Sequence, residues 1–297
     1  MASFESKALS TILRLSNIKN TFDHVLDQKN PKSEETKVVP KKLNSNLHVE
    51  KSQFNGRNVF TLSPKHEGNA SHILYLHGGA YTHGFKKFHW DFIEKMIIST
   101  NCTVIAPDYP LAPRYTYKDS YDMVMPIYRD LILKVGGKNI ILMGDSSGGG
   151  FALALAQKIR DEGLENANQI ILLSPWLDVS MENTDMLTIE PKDPILSITG
   201  LRRTGQSYAG NSSLQNPLLS PIYGSVERLG KISIFIGTND ILEADTRKLR
   251  KIAQEKGIEI NYFNYEEMVH DWMFFNLPES KLVIKQILDL VDSNSII

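Results

Sequence analysis

The sequence predicts an α/β protein built on a mostly parallel sheet with helices packed on both faces. Two observations predict it. From residue 72 onward, short apolar runs alternate with helix-like segments, the pattern of strands buried on both sides by crossover helices. A β-hairpin precedes that series and adds antiparallel strands at one edge. At 297 residues the chain can bury the large core that such a sheet requires.

Taken in order, the first 30 or so residues suit an amphipathic helix. Leu9, Ile12, Leu13, Leu15, Ile18, Phe22, Val25 and Leu26 recur near helical spacing. A polar segment containing Pro31 and Pro40 follows. "LHVEKSQFNGRNVFTLSP" reads as a β-hairpin, because Asn55-Gly56 supplies the positive φ angles of a two-residue turn. Six strand-like runs come next: "HILYLHG", "CTVIAPDY", "NIILMGD", "QIILLSPW", "ISIFIGT" and "EINYFNY". With the hairpin they predict an eight-stranded sheet. Helix-like segments surround "FHWDFIEKMIIST", "YKDSYDMVMPIYRDLILKV", "GGFALALAQKIRDEG" and "EADTRKLRKIAQEKG".

Residues 179–219 break the rhythm, with no convincing strand, and read as short helices and loops inserted between two sheet strands. Ligands of open α/β sheets bind beyond the carboxyl ends of the strands, so an insertion there is placed to form a lid. The expected organisation is a core of residues 46–178 and 220–297, a cap insertion at 179–219, and an N-terminal helical part of the cap at 1–45.

Composition narrows the function classes. The chain is 41% hydrophobic and 23% charged with a formal net charge of −1, which leaves no electrostatic footprint for nucleic acid. No run approaches the roughly 18 apolar residues that cross a bilayer, and the N-terminus lacks the apolar block of a secretory signal. Cys102 is the only cysteine, which excludes an internal disulfide and a cysteine-rich metal site; within "CTVIAPDY" it reads as a small buried residue. The expectation is a cytoplasmic protein with no membrane insertion and no nucleic-acid partner, its oligomeric state, including a homodimer, left open.

The chemistry begins at "NIILMGDSSGGGF". A nucleophile elbow turns so sharply from strand to helix that the positions two before and two after the serine must be small. Only Gly144-Asp145-Ser146-Ser147-Gly148 fits; for Ser147, the residue two before is Asp145. A phosphate loop fails because no lysine follows the glycines, and a dinucleotide fingerprint fails because no glycine stands two after Gly144. In the order Ser, acid, His, only His270 follows the serine, just beyond "IEINYFNY". Asp240, after "ISIFIGT", has the best position for the acid, with Asp178 as runner-up. Glu243 and Asp245 read as dipole-stabilising carboxylates in a helix's first turn. "ILYLHGGAYTHG" offers backbone donors for an oxyanion. The amides of Gly78 and Gly79, with that of Ser147, are expected to serve, the Ser147 hydroxyl being incidental. His77 reads as a hydrogen-bonding brace of that loop rather than a proton shuttle.

Together these residues resemble the hormone-sensitive-lipase-like branch of the α/β-hydrolase superfamily, over most of residues 72–290. "HGGA" resembles that family's H-G-G-G, "GDSSGG" its G-D-S-A-G-G, and "APDYPLAP" its D-Y-R-L-A-P block; "SPWLD", "SPIYG", "GTNDILEADT" and "YEEMVHDW" complete the ordered series. The resemblance implies an α/β-hydrolase fold with a helical cap and a serine carboxylesterase acting on short- to medium-chain acyl esters. It implies Ser146 as nucleophile, Asp240 as acid, His270 as base, and Gly78 and Gly79 in the oxyanion hole, with neither metal nor cofactor. Ala80 replaces the third glycine, Ser147 an alanine, and Pro110 and Arg114 an Arg and a Glu, removing an ion pair from the D-Y-R-L-A-P-E block. A lipase or amidase on the same scaffold, and a non-catalytic small-ligand receptor, are the alternatives. Phe85, Trp176, Leu187, Ile189 and Tyr208 are candidates to line the substrate pocket, with core packing the competing fate of each.

Overall fold

The computed structural model describes residues 2–16, 18, 19, 36 and 39–293. Phe22, Val25, Leu26 and Pro31 of the N-terminal reading lie outside the described residues.

Eight strands form one sheet. The hairpin is β1 (Leu47–Phe54) and β2 (Arg57–Pro64), joined at Asn55 and Gly56 with φ of 48° and 76°. β3 (His72–Leu76), β4 (Thr103–Pro107), β5 (Ile140–Asp145), β6 (Gln169–Leu173), β7 (Lys231–Gly237) and β8 (Ile260–Tyr265) follow. Their order is β1-β2-β4-β3-β5-β6-β7-β8, and only the β1–β2 and β2–β4 pairings are antiparallel. The structure is thus the α/β-hydrolase arrangement of a mostly parallel sheet, with the hairpin at one end and β1 as its edge strand.

Why the strands read as continuous apolar runs is visible in their side-chain alternation. Ile140, Leu142, Ile170, Leu172, Ile232 and Ile234 enter one buried core. Ile141, Met143, Ile171, Leu173 and Phe235 enter the other. Among the described residues the α-helices, in chain order, are α1 (Phe4–Leu15), α2 (Leu43–Asn46), α3 (Lys87–Thr100), α4 (Tyr117–Val135), α5 (Ser146–Asp161), α6 (Met186–Ile189), α7 (Ile198–Ala209), α8 (Glu243–Glu255) and α9 (Pro278–Ser293). α4, α5 and α8 bury residues in the first core, α3 and α9 in the second. Cys102 is fully buried in that second core, and burial pushes its thiol up to about 11, which fits a packing role.

Residues 179–219 carry α6 and α7 and no strand. Helix α1 is capped by the Ser3 side chain, which accepts from the Ser6 N–H. Its first turn is anchored to α9 by Glu279, which accepts from Ser3 N–H (2.6 Å) and Ser6 hydroxyl (2.7 Å). At its other end, Arg14 donates to the carbonyls of Pro191 (3.1 Å) and Lys192 (2.7 Å). The N-terminal helix and the 179–219 segment are thereby clamped together. Among the described residues, no helix is long and apolar enough to cross a membrane.

Candidate active site

Ser146 is the first residue of α5, directly after β5, and its φ of 50° makes it a non-glycine residue held in the left-handed region. The flanking glycines make this turn sterically feasible. A Cβ on Gly144 would lie 2.4 Å from the Gly148 carbonyl oxygen, and one on Gly148 would lie 2.0 Å from that of Leu76. Gly150, to which the sequence reading gave no role, is equally confined: a Cβ there would lie 1.9 Å from the Trp176 carbonyl oxygen.

The His77-Gly78-Gly79-Ala80 loop leaves the end of β3 and turns back beside Ser146. Gly79 has φ 120°, while Ala80 and Tyr81 have φ of 52° and 60°. Three contacts hold this shape. The Tyr109 hydroxyl donates to the His77 carbonyl (2.6 Å), its ring stacks on the His77 imidazole (4.4 Å between centroids), and the Tyr81 N–H donates to Ser147 Oγ (3.3 Å). The Ser147 hydroxyl, taken as incidental from sequence, therefore ties the loop to the elbow. His77 donates from Nδ1 to the Gly78 carbonyl (2.8 Å), and burial pushes its pKa down to about 3. It is a neutral brace near pH 7, as its place in the sequence suggests.

Asp240, in the loop after β7, is fully buried. Its Oδ1 accepts from the Leu242 N–H (2.9 Å), and its Oδ2 accepts from His270 Nδ1–H at 2.7 Å. The rival carboxylate Asp178 is occupied elsewhere, accepting from Ser180 N–H (2.9 Å), Ser220 hydroxyl (3.3 Å) and Tyr223 hydroxyl (2.9 Å). Asp245 does more than meet a helix dipole: it is buried, pushed up to about 7 by desolvation, and accepts from Asn183 Nδ2 (2.9 Å).

Burial works against a charged His270, but the carboxylates of Asp271 and Asp240 outweigh it and hold the imidazole pKa well above its ordinary range. Asp271 lies with Oδ2 3.2 Å from His270 Nε2. It lies within "YEEMVHDW", but no role attaches to it from the sequence.

Ser146, His270, Gly79 and Ala80 line one cavity of about 490 Å³. Its walls come from distant parts of the chain: Leu13 and Ile18 from the N-terminus, Phe88 from α3, and Ile195 and Leu196 from the 179–219 segment. Phe274 and Phe275 close another side, and Asp145, His89 and Asp271 supply the polar part. Asp145 accepts from the Tyr75 hydroxyl (2.6 Å) and from His89 Nε2 (3.1 Å), so its charge is contained. Gly78 packs against it: a Cβ there would lie 2.2 Å from Asp145 Oδ2.

None of the five pocket candidates named from sequence lines this cavity. Trp176 is buried, with its indole N–H on the Asp178 carbonyl (2.8 Å), and Tyr208 stacks on Tyr81 at 3.9 Å. Phe85 stacks on Trp90 (4.5 Å), Ile189 is buried, and Leu187 is 62% exposed. Core packing and solvent claimed these side chains, because the walls are drawn instead from the N-terminal segment, residues 195–196 and the turn after His270. The D-Y-R-L-A-P-E departures have a counterpart too. Asp108 of that block forms a buried ion pair with Arg57 of β2 (3.1 Å), and the same guanidinium donates to the Asp108 and Tyr109 carbonyls (2.8 and 3.0 Å).

Comparison with known proteins agrees with the geometry. A family model described as the alpha/beta hydrolase fold matches residues 73–274. An esterase of Acinetobacter venetianus is 28% identical over 225 residues, covering 74% of each chain. An acetyl-hydrolase of Streptomyces hygroscopicus is 29% identical over 217 residues, covering 72% of each. A crystal structure of an esterase/lipase from an uncultured bacterium superposes with a TM-score of 0.83 over 100% of both chains at 24% identity, a likeness of fold. The chain belongs to the α/β-hydrolase family.

Proposed function

We propose that this α/β-hydrolase is a serine carboxylesterase in which Ser146 attacks, His270 moves the proton and Asp240 orients the imidazole. The observation that carries the reading is the shared cavity. Ser146 and the Asp240-paired His270 line it together, beside Gly79 and otherwise largely apolar walls. The names of the Acinetobacter and Streptomyces relatives support ester hydrolysis as the reaction.

Ser146 Oγ adds to the ester carbonyl while its proton passes to His270 Nε2. The hydrogen bond from Nδ1–H to Asp240 holds the tautomer that leaves Nε2 as acceptor. The tetrahedral oxyanion is met by the amides of Gly78, Gly79 and Ser147. Collapse expels the alcohol, which takes the proton from Nε2 and leaves Ser146 acylated. Water then adds to the acyl-enzyme, giving its proton to Nε2, and the acid departs as Ser146 recovers that proton. The apolar walls suit an acyl chain, and the α1 and 179–219 segments together act as the cap over it.

The short- to medium-chain preference is tested with nitrophenyl esters of increasing acyl length. Leu196 is nearly buried at the cavity wall, so Leu196→Trp shortens the space available to the chain. Apolar pockets discriminate about 10–200-fold per methylene lost or blocked. The expected result is a fall in kcat/KM of at least about tenfold on the octanoate, with the acetate changed by less than about threefold. A variant that loses acetate and octanoate turnover equally contradicts the assignment of this cavity to the acyl chain. Absence of turnover on every ester would favour a ligand receptor.

A further inference from the structure

We propose that Asp271 is a second carboxylate on the catalytic imidazole, facing Nε2, the nitrogen that exchanges protons with Ser146, and that it sets the pH at which the enzyme becomes active. The inference rests on the reading of His270 as the base.

The argument is one of placement. His270 lies between two acids: Asp240 Oδ2 is 2.7 Å from Nδ1 and Asp271 Oδ2 is 3.2 Å from Nε2. Asp271 is held there by its backbone. It has φ 52° and ψ 34°, its N–H donates to Ser174 Oγ (3.2 Å), and its carbonyl accepts from the Phe274 N–H (3.1 Å). Ser174 is itself left-handed, with φ 41°. Two strained non-glycine residues thus brace each other across the strand ends, a local arrangement typical of functional positions.

The other carboxylates of the site have conventional duties. Asp193 accepts three backbone N–H groups, from Ile195 (2.8 Å), Leu196 (2.9 Å) and Ile241 (2.9 Å). Asp145 is satisfied by Tyr75 and His89, and Asp240 by Leu242 and His270. Asp271 is different. Its Oδ2 stands 3.2 Å from the imidazole Nε2, and its buried Oδ1 has no hydrogen-bond partner among the described residues. A carboxylate retained for structure would have its oxygens occupied by backbone or hydroxyl donors.

A carboxylate 3.2 Å from an imidazole nitrogen favours a proton on that nitrogen over a bare lone pair. At low pH the pair holds one proton, and Nε2 is unable to accept another from Ser146. When that proton leaves to solvent, Nε2 becomes the base. The proton later taken from Ser146 Oγ then creates an imidazolium flanked by two negative charges, before passing to the departing alcohol. Asp271 therefore delays activation with rising pH but favours the charged intermediate once the base is free.

The charges around the pair are mainly carboxylates. Asp240 faces His270 from the β7–α8 loop and Asp145 faces Asp271 from the end of β5, with His89 of α3 behind Asp145 and Asp193 behind Asp240. Burial pushes Asp271 up to about 6; His270 opposes this, and Asp145 and Asp240 add to it. Removing the Asp271 charge withdraws support from the imidazolium. The imidazole pKa then falls, and neutral base is present at lower pH.

The test is the pH dependence of kcat/KM on nitrophenyl acetate, an uncharged probe, for the full chain and for Asp271→Asn and Asp271→Glu. The acid limb of Asp271→Asn should move down by about one pH unit, equivalent to a roughly tenfold gain in relative activity below the limb. Asp271→Glu should hold the limb near its original place. A limb in Asp271→Asn that coincides with the parent's overturns the proposal. If that variant fails to fold, ring-nitrogen NMR of the parent decides: His270 should titrate in two coupled steps, and a single ordinary histidine titration overturns the proposal. Ser146→Ala keeps the two readings apart. Turnover by that variant above about one-hundredth of the parent's defeats the assignment of the site, whereas a Ser146→Ala below that level with an unmoved Asp271→Asn limb defeats only the role of Asp271.

Discussion

Ser146→Ala is expected to lower kcat on nitrophenyl acetate by about 10⁴–10⁶-fold while leaving the melting temperature within a few degrees. The elbow geometry explains why the loss should be so complete and so local. Ser146 is 5% exposed, lines the cavity, and occupies a left-handed backbone position that the β5–α5 turn imposes. Alanine keeps the Cβ and removes only Oγ, so the turn and the Gly144 and Gly148 clearances are undisturbed. The Ser147 hydroxyl does not substitute, because it accepts from the Tyr81 N–H and Ser147 is not among the residues that line the cavity. Steady-state rates and thermal unfolding on the same sample check the expectation. An Ala variant with more than about one-hundredth of the parent kcat contradicts the nucleophile assignment.

The second large effect is at the acid. Asp240→Asn should reduce kcat by about 10³–10⁴-fold. Asparagine fits the same space, yet its amide can present N–H groups to His270 Nδ1 and select the tautomer with the proton on Nε2. That tautomer cannot accept from Ser146. Asp178→Asn provides the contrast. Asp178 ties the loop after β6 to Ser220 and Tyr223, so its replacement should lower the melting temperature and leave most of kcat intact. Rates and melting curves for the two variants side by side decide the matter. Greater catalytic damage from Asp178→Asn would reverse the assignment.

The order of strands and helices was legible because a sheet buried on both faces forces an apolar run, and six such runs separated by helical segments admit few architectures. The hairpin was legible from Asn55-Gly56, where positive φ is required at both positions. The glycine frame around Ser146 was legible for a steric reason: Gly144 and Gly148 sit where a Cβ would strike backbone, and sequence retains that exclusion as composition. His270 and Asp240 followed from chain order and strand ends, and the structure places them 2.7 Å apart.

The cavity walls were not legible. Leu13, Leu196 and Phe274 are single apolar residues among many, and only the crossing of α1, the 179–219 segment and the turn after His270 brings them together. Arg57 was equally hidden, since an ion pair to Asp108 from β2 leaves no local pattern. Asp271 lies inside "YEEMVHDW", yet adjacency to His270 assigns it no role by itself. A left-handed turn at that position aims its carboxylate back at the imidazole, and dihedral angles are not written in residue spacing.

The central claim is that this chain works through an activated Ser146. Its most direct measurement is covalent labelling of the whole protein with a fluorophosphonate, followed by peptide mass mapping with and without a competing short ester. The account predicts one label per chain, on Ser146, suppressed by the ester and slowed severely in His270→Ala. Labelling at Ser147 or any other residue, or no labelling of folded protein, would contradict it.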